Sequence, residues 1–319
     1  MTAGARIWER WSVPPSSRDY SITNTKVPTK LLRRINLAAA DDPPAAGCYD
    51  WGLMKVWIAG LLVALAAATA HAATDPLAEA RRLYNLGQYD NAVRFARDAM
   101  KLPATTDGAR LILGRIYLEQ YRRSADPDHM MQAREALRAV NTQGLDRRER
   151  VELAIGLGEA LFLEDRFGPA AELLERALDS SADLGPEAHE RLLDWWASTV
   201  DRLALTGPRD TREAIYARIV TRMEKELAAD PGSAPASYWL AAAARGAGNL
   251  ERAWNAAMAG WVAAPLGKDH GAALRADLDR LVVQGIIPDR AGRLRPRDMK
   301  QTSAGMLSEW DALKAGWTW

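Results

Sequence analysis

Histidine is the residue type most able to do acid–base or metal chemistry near neutral pH, and the chain has four, at 71, 129, 189 and 270. They are far apart, and no two lie four residues apart around a glutamate, the spacing by which one helix face holds zinc. The stretch "AHERLLDWW" puts His189, Glu190 and Asp194 on one predicted helix, but without a second histidine they read as ordinary solvent-facing residues. Gly156-Leu157-Gly158 could be mistaken for part of a phosphate loop; it falls inside a helical period, where small residues serve packing. Ser198 and Ser237 sit within predicted helices with no histidine at a suggestive position. Carboxylate pairs such as Glu149/Glu152 are what any helical surface rich in Arg and Glu produces. The chain therefore reads as non-enzymatic, with no catalytic residue, no cofactor-binding residue and no metal ligand expected.

The tryptophans carry more information. Those at 195, 196, 239, 254, 261, 310, 317 and 319 all fall in the last two fifths of the chain. Trp254 and Trp261 are two helical turns apart and share a face. Trp195, Trp196, Trp239, Trp254 and Trp261 are candidates for an aromatic wall that contacts an apolar ligand or stacks on sugar rings; the other reading is core packing. Trp317 and Trp319 read as exposed, or as docked on the preceding turn.

Which residues count as the working protein is set by "MKVWIAGLLVALAAATAHAATDP", beginning at Met54. A basic start at Lys55, an apolar run from Val56 to Ala70 and an Ala70-His71-Ala72 site have the layout of a secretory signal. The run is about 15 residues, short of the roughly 20 that span a bilayer. We therefore expect a signal peptide over 54–72, with cleavage after Ala72. Residues 1–53, broken by Pro14-Pro15 and Pro43-Pro44, read as non-native or disordered upstream sequence; the other reading is a cytoplasmic tail before an inner-membrane signal-anchor. The exported chain would be periplasmic or secreted, with no stable membrane span. It lacks cysteine, since the single one is Cys48, which excludes a disulfide scaffold, a thiol nucleophile and a lipid-anchoring cysteine. Its 34 basic and 36 acidic residues nearly balance, which argues against nucleic acid as a partner.

The elements that position these residues recur. "LGQYDNAVRFARDAMKLP" carries Gly87, Tyr89, Ala92, Ala96, Ala99 and Pro103; "LGEALFLEDRFGPAAELLERALD" carries Leu157, Gly158, Leu161, Phe167, Ala170, Leu174 and Ala177; "GNLERAWNAAMAGWVAAP" carries Gly248, Leu250, Ala253, Ala257, Gly260 and Pro265. In each, a large apolar residue precedes an alanine by three, with small or apolar residues at +4 and +7, one face of a helix. No alternating strand pattern is present, and Ala, Leu, Arg and Glu, strong helix formers, dominate. The expected fold is all-α.

These residues resemble the tetratricopeptide repeat, a pair of antiparallel helices that stacks into a right-handed α-solenoid. Leu157-Gly158, Leu161, Phe167, Ala170 and Ala177 match most fully. "LILGRIYL" supplies Leu113-Gly114 and Tyr117 of another first helix, whose partner "MMQAREALRAV" arrives about seven residues late, after a polar insert at Ser124–His129. One pair is longer: a helix from Gly185-Pro186 to about Leu205, then "TREAIYARIVTRMEKELAAD", capped by Asp210. The resemblance implies a repeat domain over 73–265, then a helical C-terminal cap and tail over 266–319: a capping helix with Leu274, Leu278 and Leu281 on one stripe, an Arg-rich connection from Arg290 to Lys300, and a short helix around Met306–Lys314. It further implies a concave face built by the first helices, with Leu77, Arg81, Tyr84, Leu111, Arg115, Leu118, Glu152, Glu159, Phe162, Tyr238 and Arg245 facing the groove. The expected function is an exported scaffold that holds a partner protein or peptide. The alternative is an envelope component for ligand or polysaccharide binding and export, contacting glycan through its Trp-rich C-terminal half.

Overall fold

The computed structural model describes residues 75–317; the upstream segment, the signal peptide over 54–72 and Trp319 lie outside the described residues. Every regular element among the described residues is helical. In chain order the α-helices are α1 (Pro76–Asn85), α2 (Tyr89–Ala99), α3 (Thr106–Ser124), α4 (Pro127–Arg138), α5 (Arg147–Leu163), α6 (Phe167–Asp179), α7 (Pro186–Thr206), α8 (Arg212–Ala229), α9 (Ala234–Gly246), α10 (Leu250–Ala263), α11 (Ala272–Leu281), α12 (Ile287–Leu294) and α13 (Met299–Gly316).

Local chemistry explains where these helices begin. Asp75 accepts the Leu77 N–H at 3.0 Å while Pro76, with no N–H to satisfy, starts α1. Asp126 and Pro127 repeat the device at α4. Asp146 and Glu149 form a reciprocal capping box on α5, the side chain of each bonding the backbone N–H of the other. Asp210, expected to cap α8, does not: residues Arg209–Thr211 form a 3-10 turn and Thr211 takes the N-cap position without a capping bond, its hydroxyl donating to the Pro208 carbonyl at 3.0 Å.

Helices pack mainly on neighbours one or two places away in chain order. The same crossing recurs in two pairs. A Cβ on Gly114 would stand 2.5 Å from Leu137 and 3.4 Å from the Ala133 carbonyl; one on Gly158 would stand 2.9 Å from Leu174 and 3.6 Å from the Ala170 carbonyl. Glycine on the first helix and a fully buried alanine on the second let α3 close on α4, and α5 on α6. The seven-residue delay is absorbed by a longer α3 and by Ala125, which turns the chain in the left-handed region at φ 54° before Asp126.

The leading helices α1, α3 and α5 lie side by side over one apolar core that includes Leu83, Leu113, Ile116 and Leu137. Beyond α5 the pattern changes: α7 packs mainly on α6, α8 and α9, around Leu193, Trp196, Ile219 and Met223. The longer pair expected from the sequence is α7 and α8. A third core holds Trp254, Leu278, Val282, Ile286 and Trp310.

The C-terminal end differs from expectation in two places. The capping helix, expected over "AALRADLDRLVVQGIIP", does not stop at Pro288: after a π turn, Val282–Ile286, it continues as α12 to Leu294, because Pro288 falls in the first turn of α12, where the missing N–H costs little. The connection before the last helix is only Arg295–Asp298, and α13 begins at Met299, because Met299, Lys300 and Gln301 are good helix formers that simply extend it.

A candidate interaction face on the leading helices

α3 is buried on most sides, with Ala109, Leu111, Ile112, Leu113, Ile116 and Leu118 in the core. One stripe carries charge and is only partly covered: Arg115, Glu119 and Arg122, spaced four and three residues apart, with the buried Gly108 seven residues before Arg115 on the same line along the helix. Gly108 makes room for an ion pair that crosses α3 from side to side, since Arg81 of α1 and Glu149 of α5 meet at 2.6 Å. A Cβ at Gly108 would lie 2.8 Å from Leu77 and 2.9 Å from the Glu149 carboxylate. Two turns on, the Arg115 guanidinium lies 4.9 Å from the centre of the Tyr84 ring, a cation–π contact. Arg122 bonds Glu119 at 2.9 Å and stands 3.9 Å from Glu159. Glu152 is held by Arg148 at 3.0 Å.

The electrostatics follow from burial. Glu159 has 1% of its side chain exposed. Burial, and then the neighbouring Glu119 charge, push its carboxyl up to about 8, against the partial opposition of Arg122 and Arg115. Burial likewise raises the Tyr84 hydroxyl, and pushes Tyr89 up to about 12. Bonding capacity is left over here. Glu159 Oε1 and the Nε atoms of Arg81 and Arg115 are buried with no hydrogen-bond partner.

Five residues expected in the groove, Arg81, Tyr84, Arg115, Glu152 and Glu159, thus come together. Four do not: Leu77, Leu111, Leu118 and Phe162 are core side chains. The reason is a rotation of about one position. Leu111 and Leu118 are buried in the seam between packed helices, while Arg115, in the line of Glu119 and Arg122, stays partly exposed. Glu119, Arg122 and Glu149 were missed, although the first two lie four and seven residues beyond Arg115. Tyr238 and Arg245 belong elsewhere. Tyr238 is half-buried, edge-on to Trp239 at 5.5 Å; Arg245 bonds Asp289 at 2.7 Å and lies against Gly285.

The expected aromatic wall does not stand open. Trp196, Trp239 and Trp254 are buried, Trp239 donating to Asp194 at 2.6 Å. Trp195 and Trp261 are half-buried. Tryptophan on an inward stripe fills volume between long helices, and that is its use here.

One arrangement outside the face looks like chemistry. Ser181 Oγ lies 2.6 Å from His189 Nδ1, and His189 Nε2 lies 2.8 Å from Glu226. Arg222 bonds both Glu226 and Asp179 at 2.7 Å. Burial pushes the Glu226 carboxyl up, but the bonds from His189 and Arg222 together hold it below its usual value. The trio resembles a nucleophile, base and acid. However, Ser181 is fully buried, and its hydroxyl donates to the Leu178 carbonyl at 2.6 Å. Its proton is committed to closing the end of α6, and the chain of bonds ties α6, α7 and α8 together. His189 reads from sequence as a solvent-facing residue; it is instead half-buried and bonded at both ring nitrogens.

Among the described residues no cluster of His, Cys, Asp and Glu could hold a metal ion, and no helix is long and apolar enough to cross a membrane. Comparison with protein-family models, with curated proteins and with solved structures finds no match for the chain. The functional reading therefore rests on the geometry alone.

Proposed function

We propose that this chain is an exported, non-enzymatic interaction scaffold. Its paired helices form a tetratricopeptide-like solenoid, and its face on α1, α3 and α5 binds an extended segment of a partner protein or peptide. The observation that supports this reading is the ordered layer of Arg81, Tyr84, Arg115, Glu119, Arg122, Glu152 and Glu159, rigid side chains held by one another with bonding capacity to spare. A partner segment laid across the layer meets both charges and an aromatic ring, the mix that recognises side chains and backbone together. The alternative of glycan binding has no comparable support, because three of the five tryptophans it would use are buried and the other two half-buried.

The test has two arms. Chain expressed from Met54 should reach the envelope fraction and begin at Ala73 by intact mass; a product that stays in the cytoplasm with residues 54–72 attached overturns the export reading. Exported protein should then capture a partner from envelope extract, and Arg115→Ala together with Tyr84→Ala should abolish the capture while leaving the circular-dichroism melt cooperative. Undiminished capture by that double variant moves the binding site off this face.

A further inference from the structure

α13 is 18 residues long, yet Trp310 is its one buried residue. Trp310 enters a socket that the rest of the chain builds. Its ring centre lies 5.3 Å from that of Trp261 and 6.0 Å from that of Trp254, and Leu278 and Val282 belong to the same apolar cluster. The polar end of the socket is Asp279. One carboxylate oxygen accepts both the Trp310 indole N–H at 2.9 Å and the Lys314 ammonium at 2.7 Å. Burial pushes the Asp279 carboxyl up, but these two bonds outweigh it and hold the group below its ordinary value. Met306 and Leu313 pack half-buried beside the tryptophan. The contacts of α13 thus fall at i, i+4 and i+7, with a cation at i+8, which is how an amphipathic helix is read by a groove.

Two further observations set α13 apart from the helices that form the body. Its backbone link to the body is the short connection Arg295–Asp298, and although it packs along α12 and Arg275 donates to the Trp317 carbonyl just past its end at 3.0 Å, most of its surface, including Met299 and Leu307, is exposed. The socket is also incompletely matched by its occupant: the Trp261 indole N–H is buried there with no hydrogen-bond partner. A buried donor left open is costly.

We propose that the socket of Trp254, Trp261, Leu278 and Asp279 is a helix-recognition site, and that α13 is its built-in competitor. The partner is an amphipathic helix that presents a tryptophan flanked by apolar residues four before and three after, with a lysine four after it to meet Asp279. The site is separate from the face on α1, α3 and α5 and does not depend on it. Tethering gives α13 an effective concentration on the order of millimolar, so a partner in trans gains the socket only by binding more tightly than α13 or when α13 is loosened.

The experiment uses the full chain with a specific protease site placed in the Arg295–Asp298 connection, and a fluorescent peptide of residues 299–317 as probe. Before cleavage the probe should bind at least about tenfold more weakly than after it, because the tethered helix competes. A probe carrying Trp310→Ala should not bind, and Asp279→Asn in the body should weaken the normal probe. Should the cleaved chain lose its circular-dichroism melt, an uncleaved chain carrying Trp310→Ala decides instead, since it weakens only the resident helix and should admit the normal probe. Absence of probe binding in both preparations overturns the proposal. Binding that ignores the tryptophan of the probe also overturns it.

Discussion

Glu159 lies with 1% of its side chain exposed beside a second carboxylate, Glu119, with Arg122 and Arg115 nearby. Its carboxyl, pushed up to about 8 from 4.5, keeps its proton in the folded chain over a range where the unfolded chain has released it. The folded state therefore binds more protons between those two values, and stability must fall as pH rises through that window, by at most about 1.4 kcal/mol per pH unit. Below the lower value both states are protonated and the contribution is flat. Thermal melts taken across the window should show the midpoint dropping toward alkaline pH, with a shallower slope in Glu159→Gln. Equal slopes in the two proteins would assign the effect to another group. A partner that brings a cation to Glu159 would favour the ionised form, so capture through this face should release protons.

At the scale of elements, the decisive contact is the crossing of a leading helix on its partner. Ala170 is fully buried, and its carbonyl lies 3.6 Å from where a Gly158 Cβ would stand. Ala170→Leu should therefore overpack the α5–α6 crossing and cost about 1–3 kcal/mol, read as a lowered chemical-denaturation midpoint. Ala78→Leu, on the exposed side of α1, should leave the midpoint nearly unchanged. Similar losses in both would mean that the crossing is not where small residues matter. This contact was legible in the sequence, because glycine on one helix and alanine on the next keep a fixed register that survives even the delay before α4. Which stripe of α3 stays open was not legible. That depends on how α1 and α5 flank it, and a rotation of one position exchanges Leu118 for Glu119. The Ser181–His189–Glu226 bonds were equally invisible, since they join three separate helical segments whose approach no local pattern encodes.

At the scale of the molecule, substantial packing links only helices near one another in chain order, and the apolar interior divides into successive cores rather than one. A chain built this way transmits stability through neighbours, so damage at one end should stay there. Trp254 offers the sharpest test. It is 3% exposed, lies under the Arg290 guanidinium at 4.8 Å and flanks Trp310 in the socket. Replacing it by alanine removes a buried aromatic, a loss of roughly 3–5 kcal/mol. Hydrogen exchange followed by mass spectrometry should then show protection falling across α10 to α13 while α1 to α4 keep their parental rates. In the parent, α13 should exchange ahead of α10 and α11, because a helix with one fully buried side chain and most of its surface exposed opens without unfolding its neighbours. A uniform loss of protection from α1 to α13 in Trp254→Ala would instead mean that the cores unfold as one cooperative unit, and the neighbour-by-neighbour description would have to be abandoned.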